Sequence, residues 1–169
     1  MSVQRILGAM ARSADRLRAL IEDLLTVSHV EARPLALSPV DVRVATLVEQ
    51  AVALLAEAAR GRGHDLVVEL DPAVDQVRVD PAQFRRVLTS LIDNAVKCTP
   101  PGGRIVVRAR PVADATEISV SDNGIGIDPA EVPRLFTRFF RTSAATQLAI
   151  QGAGLSLAIA RQIVDGTAA

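Results

Sequence analysis

Asp122-Asn123-Gly124-Ile125-Gly126-Ile127-Asp128 follows the alternating apolar–polar run 117–121 and does more than any other segment to define this protein. The alternation predicts a β-strand, which would deliver an acidic side chain directly into a loop with two glycines. A carboxylate can accept a hydrogen bond from the exocyclic amine of a purine. The glycines permit positive φ and close backbone approach to a ligand. The segment therefore predicts one wall of a purine site.

A second polar pair lies upstream, on a predicted helix. Asn94 and Lys97 stand three residues apart, so they share one helical face. An amide and an ammonium group together suit a magnesium-bridged phosphate chain. Lys97 is the only lysine among 19 Lys and Arg residues, which indicates a position that needs a compact ammonium, although a stray lysine is the alternative. The two segments predict a nucleoside triphosphate site that is neither a Walker loop nor a dinucleotide fold.

Composition limits the classes of protein that need to be considered. A length of 169 residues fits one domain with an appendage, and a formal net charge of zero gives no reason to expect a nucleic-acid partner. No apolar stretch approaches the roughly 18 residues that span a bilayer. With no charged-then-apolar leader either, we expect a cytoplasmic protein without a membrane span. The single Cys98 is expected to be a small buried apolar residue.

Residues 1–33 are predicted to form one long amphipathic helix. Apolar residues recur every three or four positions from Val3 to Val30, and Pro34 ends the pattern because it disfavours helical backbone at the residue before it. Such an apolar stripe needs to be covered. The rest of the chain could cover it, or another chain could, including a second copy in a homodimer.

From residue 35 the pattern changes to mixed α/β. Asp80 is expected to cap a helix whose first residue is Pro81, and His64 is expected in a surface loop. A lid-like loop is predicted at 141–151. Strands are predicted at 35–40, 66–70, 76–79, 104–110 and 117–121, and helices at 44–59, 81–98, 129–140 and 154–164.

Four sequence blocks in this order resemble the N, G1, F and G2 boxes of sensor histidine kinases. They are Asn94 to Pro100, Asp122 to Ile127, Leu135 to Arg141 and Gly152 to Leu157. The resemblance implies a two-layer α/β sandwich, the GHKL or Bergerat ATP-binding fold, over residues 35–169. The family fold has two further strands after the last helix, so a C-terminally short version is expected.

The resemblance also implies roles for individual residues, with ATP and Mg²⁺ as cofactors. Asn94 would ligate Mg²⁺ and Lys97 would contact the phosphates, which makes these two the catalytic residues. Asp122 would accept from the adenine amino group, above a floor shaped by Gly124 and Gly126. The other implied nucleotide contacts are Arg138, Phe139, Arg141, Gly152, Gly154 and Leu155, although Arg138 and Arg141 could equally be helix-surface charges.

Two positions depart from the family pattern. Ser90 stands four residues before Asn94, where the family usually has a second Asn, and Ser156 replaces the third glycine of the last block. The first change bears on the metal site and on turnover, and the second predicts a stiffer lid hinge. Both leave open a non-catalytic alternative, an ATP-responsive regulatory module similar to an anti-sigma factor or a degenerate kinase.

The histidine that a complete sensor kinase phosphorylates is not recognisable in this sequence. His29 is followed by Pro34 and Leu35 at suitable offsets, but its acidic and Arg neighbours are each displaced by one residue. We therefore expect a kinase subunit of a two-component system that transfers the γ-phosphoryl group of ATP to a histidine on a separate partner chain. A response regulator would act downstream, and activity would require the partner.

Overall fold

The computed structural model describes residues 36–167. This part of the chain contains five strands and four α-helices and one short 3₁₀ turn, which alternate as the sequence predicts for a mixed α/β domain. The strands are β1 (Val40–Arg43), β2 (Asp65–Leu70), β3 (Gln76–Val79), β4 (Arg104–Val112) and β5 (Ala115–Asp122). The helices are α1 (Val44–Gly61), α2 (Pro81–Cys98), α3 (Ser143–Gln147) and α4 (Ser156–Thr167), with the 3₁₀ turn at Val132–Arg134.

The strands form two sheets. In the larger sheet the order is β2-β4-β5, with β2 parallel to β4 and β4 antiparallel to β5. The smaller sheet pairs β1 with β3 in antiparallel register. Although β2 and β3 are neighbours in sequence, they belong to different sheets.

Strand β4 shows why one face of the larger sheet is covered by helices. Ile105, Val107 and Ala109 are each fully buried, whereas the residues between and beside them are the half-buried Val106 and three exposed arginines, because successive side chains of a strand point to opposite faces. Helices α1 and α2 pack on this apolar face, and α4 packs against α2. The result is a two-layer α/β sandwich, as the sequence predicted.

Helix α2 begins at a strong N-cap. The Asp80 carboxylate accepts hydrogen bonds from the backbone N–H groups of Ala82 and Gln83 through Oδ1, both at 3.0 Å, and from Ser38 through Oδ2 at 3.1 Å. The bonds from Gln83 and Ser38 are the main reasons that the pKa of Asp80 lies below its usual value. The cap therefore fixes the start of the helix that carries Asn94 and Lys97.

Substituting Asp80 tests this cap. Asp80→Ala is expected to lower the free energy of unfolding by about 1 kcal/mol. Asp80→Asn should keep most of the stability that the cap contributes, because Asn also caps well. The contribution of the ionised carboxylate is present above its unfolded pKa and is lost as the pH falls through the lowered folded-state pKa. Urea denaturation of the three proteins at neutral and acidic pH measures both effects, and equal stability of all three at neutral pH would contradict the prediction.

Several predicted elements have different bounds in the structure. The first strand is Val40–Arg43 rather than 35–40, since 36–39 is irregular. The segment 129–140 is mostly turns with one 3₁₀ turn, because its backbone N–H groups donate to the residue three positions earlier, except that of Phe139, which donates to Gly154 O. The lid-like segment contains α3, and the last helix begins at Ser156 and continues through Gly166.

His64 is not in an exposed loop, which corrects the sequence prediction. It is only 9% exposed, and its Nε2 lies 3.3 Å from the carbonyl oxygen of Val96. The predicted helix at 1–33 lies outside the described residues. Among residues 36–167, no helix combines the length and apolar character that crossing a membrane requires.

Candidate nucleotide-binding site

A cavity of about 520 Å³ lies between α2, the loop after β5 and the segment 135–157. This volume falls within the usual range for small-molecule sites. Most of its wall is apolar, with a few polar side chains and backbone groups among them. The predicted site residues that line the cavity are Asn94, Lys97, Asp122, Gly124, Gly126, Arg141, Gly152 and Gly154.

Asp122 reaches the cavity because of its register in the sheet. It is the last residue of β5 and pairs with Ile105, whose side chain is buried on the helix-covered face. Asp122 therefore lies on the same face as Val120, which also lines the cavity. Its Oδ1 accepts from the backbone N–H of Gly124 at 2.9 Å, which holds the carboxylate against the loop and leaves its second oxygen for a ligand.

The loop after β5 docks directly on the end of α2. The backbone N–H of Ile125 donates to the carbonyl of Cys98 at 3.1 Å. A Cβ atom at Gly124 would lie 2.5 Å from that carbonyl oxygen, so only glycine allows this approach. The loop that holds Asp122 and the helix that holds Asn94 are thus joined at one point.

Helix α2 contributes the polar pair that the sequence singled out. Asn94 and Lys97 both line the cavity, as expected for residues one turn apart. Lys97 Nζ also forms an ion pair with Asp93, four residues earlier on the same helix. Both side chains are about one-third exposed, so the ammonium is held at the cavity edge while part of it stays accessible.

The lid segment 141–151 is held by backbone hydrogen bonds and by hydrogen bonds of the Arg141 and Glu131 side chains. Arg141 donates to the carbonyl oxygens of Ile150 and Ala145, which closes the loop around α3. At the start of α3, the carboxylate of Glu131 accepts from the backbone N–H of Ser143 at 2.9 Å. Arg141 therefore lies at the cavity, where its guanidinium binds lid carbonyls.

Comparison with known proteins identifies the family. The model of the histidine kinase-, DNA gyrase B- and HSP90-like ATPases matches residues 79–168, which include all four sequence blocks. The chain belongs to this ATPase family. Within it, the similar proteins are histidine kinases, and this chain carries their ATP-binding catalytic domain.

Two curated histidine-kinase relatives show the extent of the similarity. The phosphate regulon sensor protein PhoR of Pseudomonas aeruginosa is 35% identical over 95% of this chain and 36% of its own length. The histidine-protein kinase/phosphatase MprB of Mycobacterium ulcerans is 37% identical over 89% of this chain and 28% of its own length. The chain thus spans about a third of the length of these relatives.

Solved histidine-kinase structures share the fold. Full-length ShkA in complex with AMPPNP matches with a TM-score of 0.82 and 26% identity, over 98% of this chain and 34% of ShkA. The mycobacterial sensor kinase MprB matches with a TM-score of 0.65 and 30% identity, over 78% of this chain and 81% of the MprB chain. The sandwich architecture is therefore that of histidine-kinase ATPase domains.

Three residues predicted to contact the nucleotide do not line the cavity of this ATPase domain. Leu155, the residue before α4, is buried at 1% exposure. Phe139 is 62% exposed, since its backbone takes a φ of 62° while its N–H binds Gly154 O. Arg138 is also absent from the lining, although it makes another interaction.

Other residues line the cavity although the sequence analysis gave them no individual role. Phe136 and Phe140 contribute the aromatic surface expected from Phe139, and Arg134 stacks over the ring of Phe140 at 4.5 Å from its centroid. The cluster of phenylalanines was visible in the sequence, but the ring that faces inward depends on the turns between 135 and 140. Further apolar lining comes from Leu91, Ile125, Ile127, Leu135, Ile150 and Leu157.

Cys98, the only cysteine of the chain, lies in the wall of this cavity. It is half-buried rather than buried as predicted, because it lines the wall next to the loop of Asp122. Burial raises the pKa of its thiol, and the negative charge of Asp122 raises it further. The thiol is therefore kept protonated at neutral pH, rather than acting as a nucleophile.

Alkylation of Cys98 tests the geometry of the cavity wall. We expect iodoacetamide to react at neutral pH roughly tenfold more slowly than with a free cysteine, and bound nucleotide to slow it further. Mass spectrometry measures the rate, and the same protein unfolded in urea is the control. A rate equal to that of the unfolded chain would show that the thiol is not enclosed.

Proposed function

We propose that this ATPase domain binds Mg-ATP in the cavity and donates the γ-phosphoryl group to a histidine. The observation that carries the proposal is the convergence of Asp122, Asn94 and Lys97 on one cavity large enough for a nucleotide. The carboxylate comes from the sheet and the amide and ammonium come from α2. An acceptor for a base, together with polar groups for phosphates, suits ATP better than a wholly apolar ligand.

Asp122 would accept from the adenine amino group, while Gly124 and Gly126 allow the base to approach the loop backbone. Arg141, Gly152 and Gly154 lie at the cavity on the lid side, where they could contact phosphates. Leu155, Phe139 and Arg138 would act on the nucleotide only indirectly or after a lid movement, because they do not line the cavity.

The donor set at α2 fits Mg²⁺ bound mainly through the nucleotide. Within residues 36–167 there is no group of three or more His, Cys, Asp or Glu side chains that could hold a metal. Mg²⁺ commonly uses one or two protein ligands together with substrate phosphates and water, so the Asn94 amide oxygen is a sufficient protein ligand. Bound Mg²⁺ would neutralise phosphate charge, and Lys97 would stabilise the charge that develops during transfer.

The finer proposal is that the acceptor histidine belongs to a separate chain. Two histidines are present in the sequence. His64 is buried and bound to Val96 O, so it cannot reach a phosphate, and His29 lies outside the described residues. We propose a His-bearing partner docked through the apolar stripe of residues 1–33, which could also join two copies of the chain.

A response regulator would receive the phosphoryl group from that histidine. The histidine kinase ThkA, solved in complex with the response regulator TrrA, shares the fold of this chain at 20% identity and a TM-score of 0.76. We propose a cytoplasmic reaction, because ATP is supplied there.

Transfer from [γ-³²P]ATP tests the split arrangement. The chain is mixed with candidate His-bearing partners, each paired with its His→Gln variant, and His29→Gln of this chain runs in parallel. Label on a partner that disappears in its His→Gln variant supports the proposal. Label on His29 would show transfer within the chain and refute the separate acceptor.

A second candidate is a non-catalytic ATP-responsive module. It is favoured by Ser90, which lies on α2 one turn before Asn94 but does not line the cavity. ATP binding without transfer to any partner would support this function instead. Restoring the family residue with Ser90→Asn would then be expected to raise transfer.

A further inference from the structure

Residues 62–64, which link α1 to β2, form hydrogen bonds with the end of helix α2 and do not line the cavity. Arg62 Nη2 donates to the carbonyl of Thr99 at 3.2 Å, and the backbone N–H of Gly102 donates to the carbonyl of Arg62 at 3.0 Å. His64, two residues further along the link, places Nε2 at 3.3 Å from the carbonyl oxygen of Val96. Three hydrogen bonds thus join a short link to one helix end.

The Val96 carbonyl needs a donor from elsewhere in the chain. In a continuing helix it would accept from the residue four positions later, which is Pro100 and has no N–H. Val96 is 4% exposed, and water has little access to it. A carbonyl only accepts, so His64 carries its proton on Nε2 and replaces the missing helix donor.

The same helix end is also held by the loop of Asp122. Cys98 O accepts from Ile125 N–H, and Gly124 packs closely against that carbonyl. The last turns of α2 are therefore held at two carbonyls, that of Val96 by His64 and that of Cys98 by the loop of Asp122. Asn94 and Lys97 project from these turns into the cavity.

We propose that His64 is a positioning residue for nucleotide binding. Its hydrogen bond to Val96 O fixes the last turns of α2, and so the placement of Asn94 and Lys97 beside the phosphates. His64 does not line the cavity and would not touch the nucleotide. The inference rests on the proposed function, because it assumes that the triphosphate lies beside these two residues.

Two amide substitutions separate the hydrogen bond from the side-chain volume. In His64→Gln the amide nitrogen can occupy the place of Nε2 and donate to Val96 O. In His64→Asn the side chain is one bond shorter and cannot reach, so the carbonyl loses its donor. His64→Leu removes the donor while keeping an apolar side chain in the buried position.

Nucleotide affinity and amide exchange are the measurements. We expect His64→Asn and His64→Leu to bind Mg-ATP roughly tenfold more weakly than the native chain, and His64→Gln to remain within about threefold, since an unmet buried acceptor is costly. Hydrogen exchange should become faster at the amides of Thr99 and Ile125, whose acceptors are Ala95 O and Cys98 O. In His64→Gln these two rates should stay near native.

A matched control removes the contribution of general destabilisation. Val77 lies on β3, packs against the core and does not line the cavity. Val77→Ala should therefore reduce stability without changing nucleotide affinity or the exchange of those two amides. If His64→Leu does not fold, the comparison between His64→Asn and His64→Gln still decides the outcome.

Three results would overturn the inference. Native affinity in His64→Asn would show that the hydrogen bond does not position the site. Equal loss in His64→Asn, His64→Gln and Val77→Ala would show an effect of stability alone. Absence of Mg-ATP binding by the native chain would refute the proposed function itself, whereas binding that is indifferent to His64 would refute only this inference.

Discussion

Asp122→Asn is expected to weaken Mg-ATP binding by roughly a hundredfold, because it removes a charge-assisted hydrogen bond to the base. The substitution is nearly isosteric. The Asn oxygen can still accept from Gly124 N–H, as Asp122 Oδ1 does at 2.9 Å, so the loop should keep its form. The amide nitrogen would instead face the adenine amino group, and two donors would oppose each other.

Calorimetry with Mg-ATP measures the loss, and the thiol of Cys98 gives a readout that needs no nucleotide. The charge of Asp122 is, after burial, the second cause that raises the pKa of this thiol. Asp122→Asn should therefore lower the thiol pKa and accelerate alkylation. Faster alkylation with unchanged ATP affinity would show that Asp122 lies beside Cys98 but does not bind the base.

Gly154→Ala is expected to lower the free energy of unfolding by about 3 kcal/mol, from left-handed backbone strain together with overpacking. Gly154 has a φ of +73°, and a Cβ there would lie 2.5 Å from Phe140 O and 2.7 Å from Phe139 C. The backbone must shift at this point, and the wall of the cavity formed by Phe140 and Arg141 would shift with it. Weaker ATP binding should accompany the loss of stability.

Gly152→Ala is the matched control from the same sequence block. A Cβ at Gly152 would meet nothing within 4 Å, and its φ is not positive, so the change in stability should be within about 0.5 kcal/mol. Urea denaturation followed by circular dichroism compares the two variants with the native chain. Equal destabilisation by both would contradict the geometry described for Gly154.

The elements that could be predicted from the sequence are those whose pattern is local. Helix α2 follows from the cap at Asp80, the first-turn Pro81 and a regular apolar spacing. Strands β4 and β5 follow from alternation along each strand. The segment 129–140 was predicted wrongly as a helix, because its backbone N–H groups form separate turns by donating to the residue three positions earlier, and Phe139 N–H donates to the distant Gly154 O.

The residues of the candidate site also divide into those that the sequence could identify and those that depend on the tertiary structure. Asp122, Asn94 and Lys97 could be selected by residue type and spacing, and all three line the cavity. Within one short aromatic cluster, however, Phe136 and Phe140 line the cavity, whereas Phe139 does not. Spacing alone could not separate them, since a positive φ at Phe139 changes the direction of its side chain.

By itself, the order of the four sequence blocks determined the family and the sandwich fold, and residue type and spacing selected three polar residues that line the cavity. Local patterns and motif spacing are properties of the linear sequence, so they can be recognised without knowing which distant residues come into contact. Only the tertiary structure decided that Leu155 is buried, that Arg141 binds lid carbonyls and that His64 replaces a helix donor. Each of these depends on groups distant in sequence that folding brings within hydrogen-bond or packing distance.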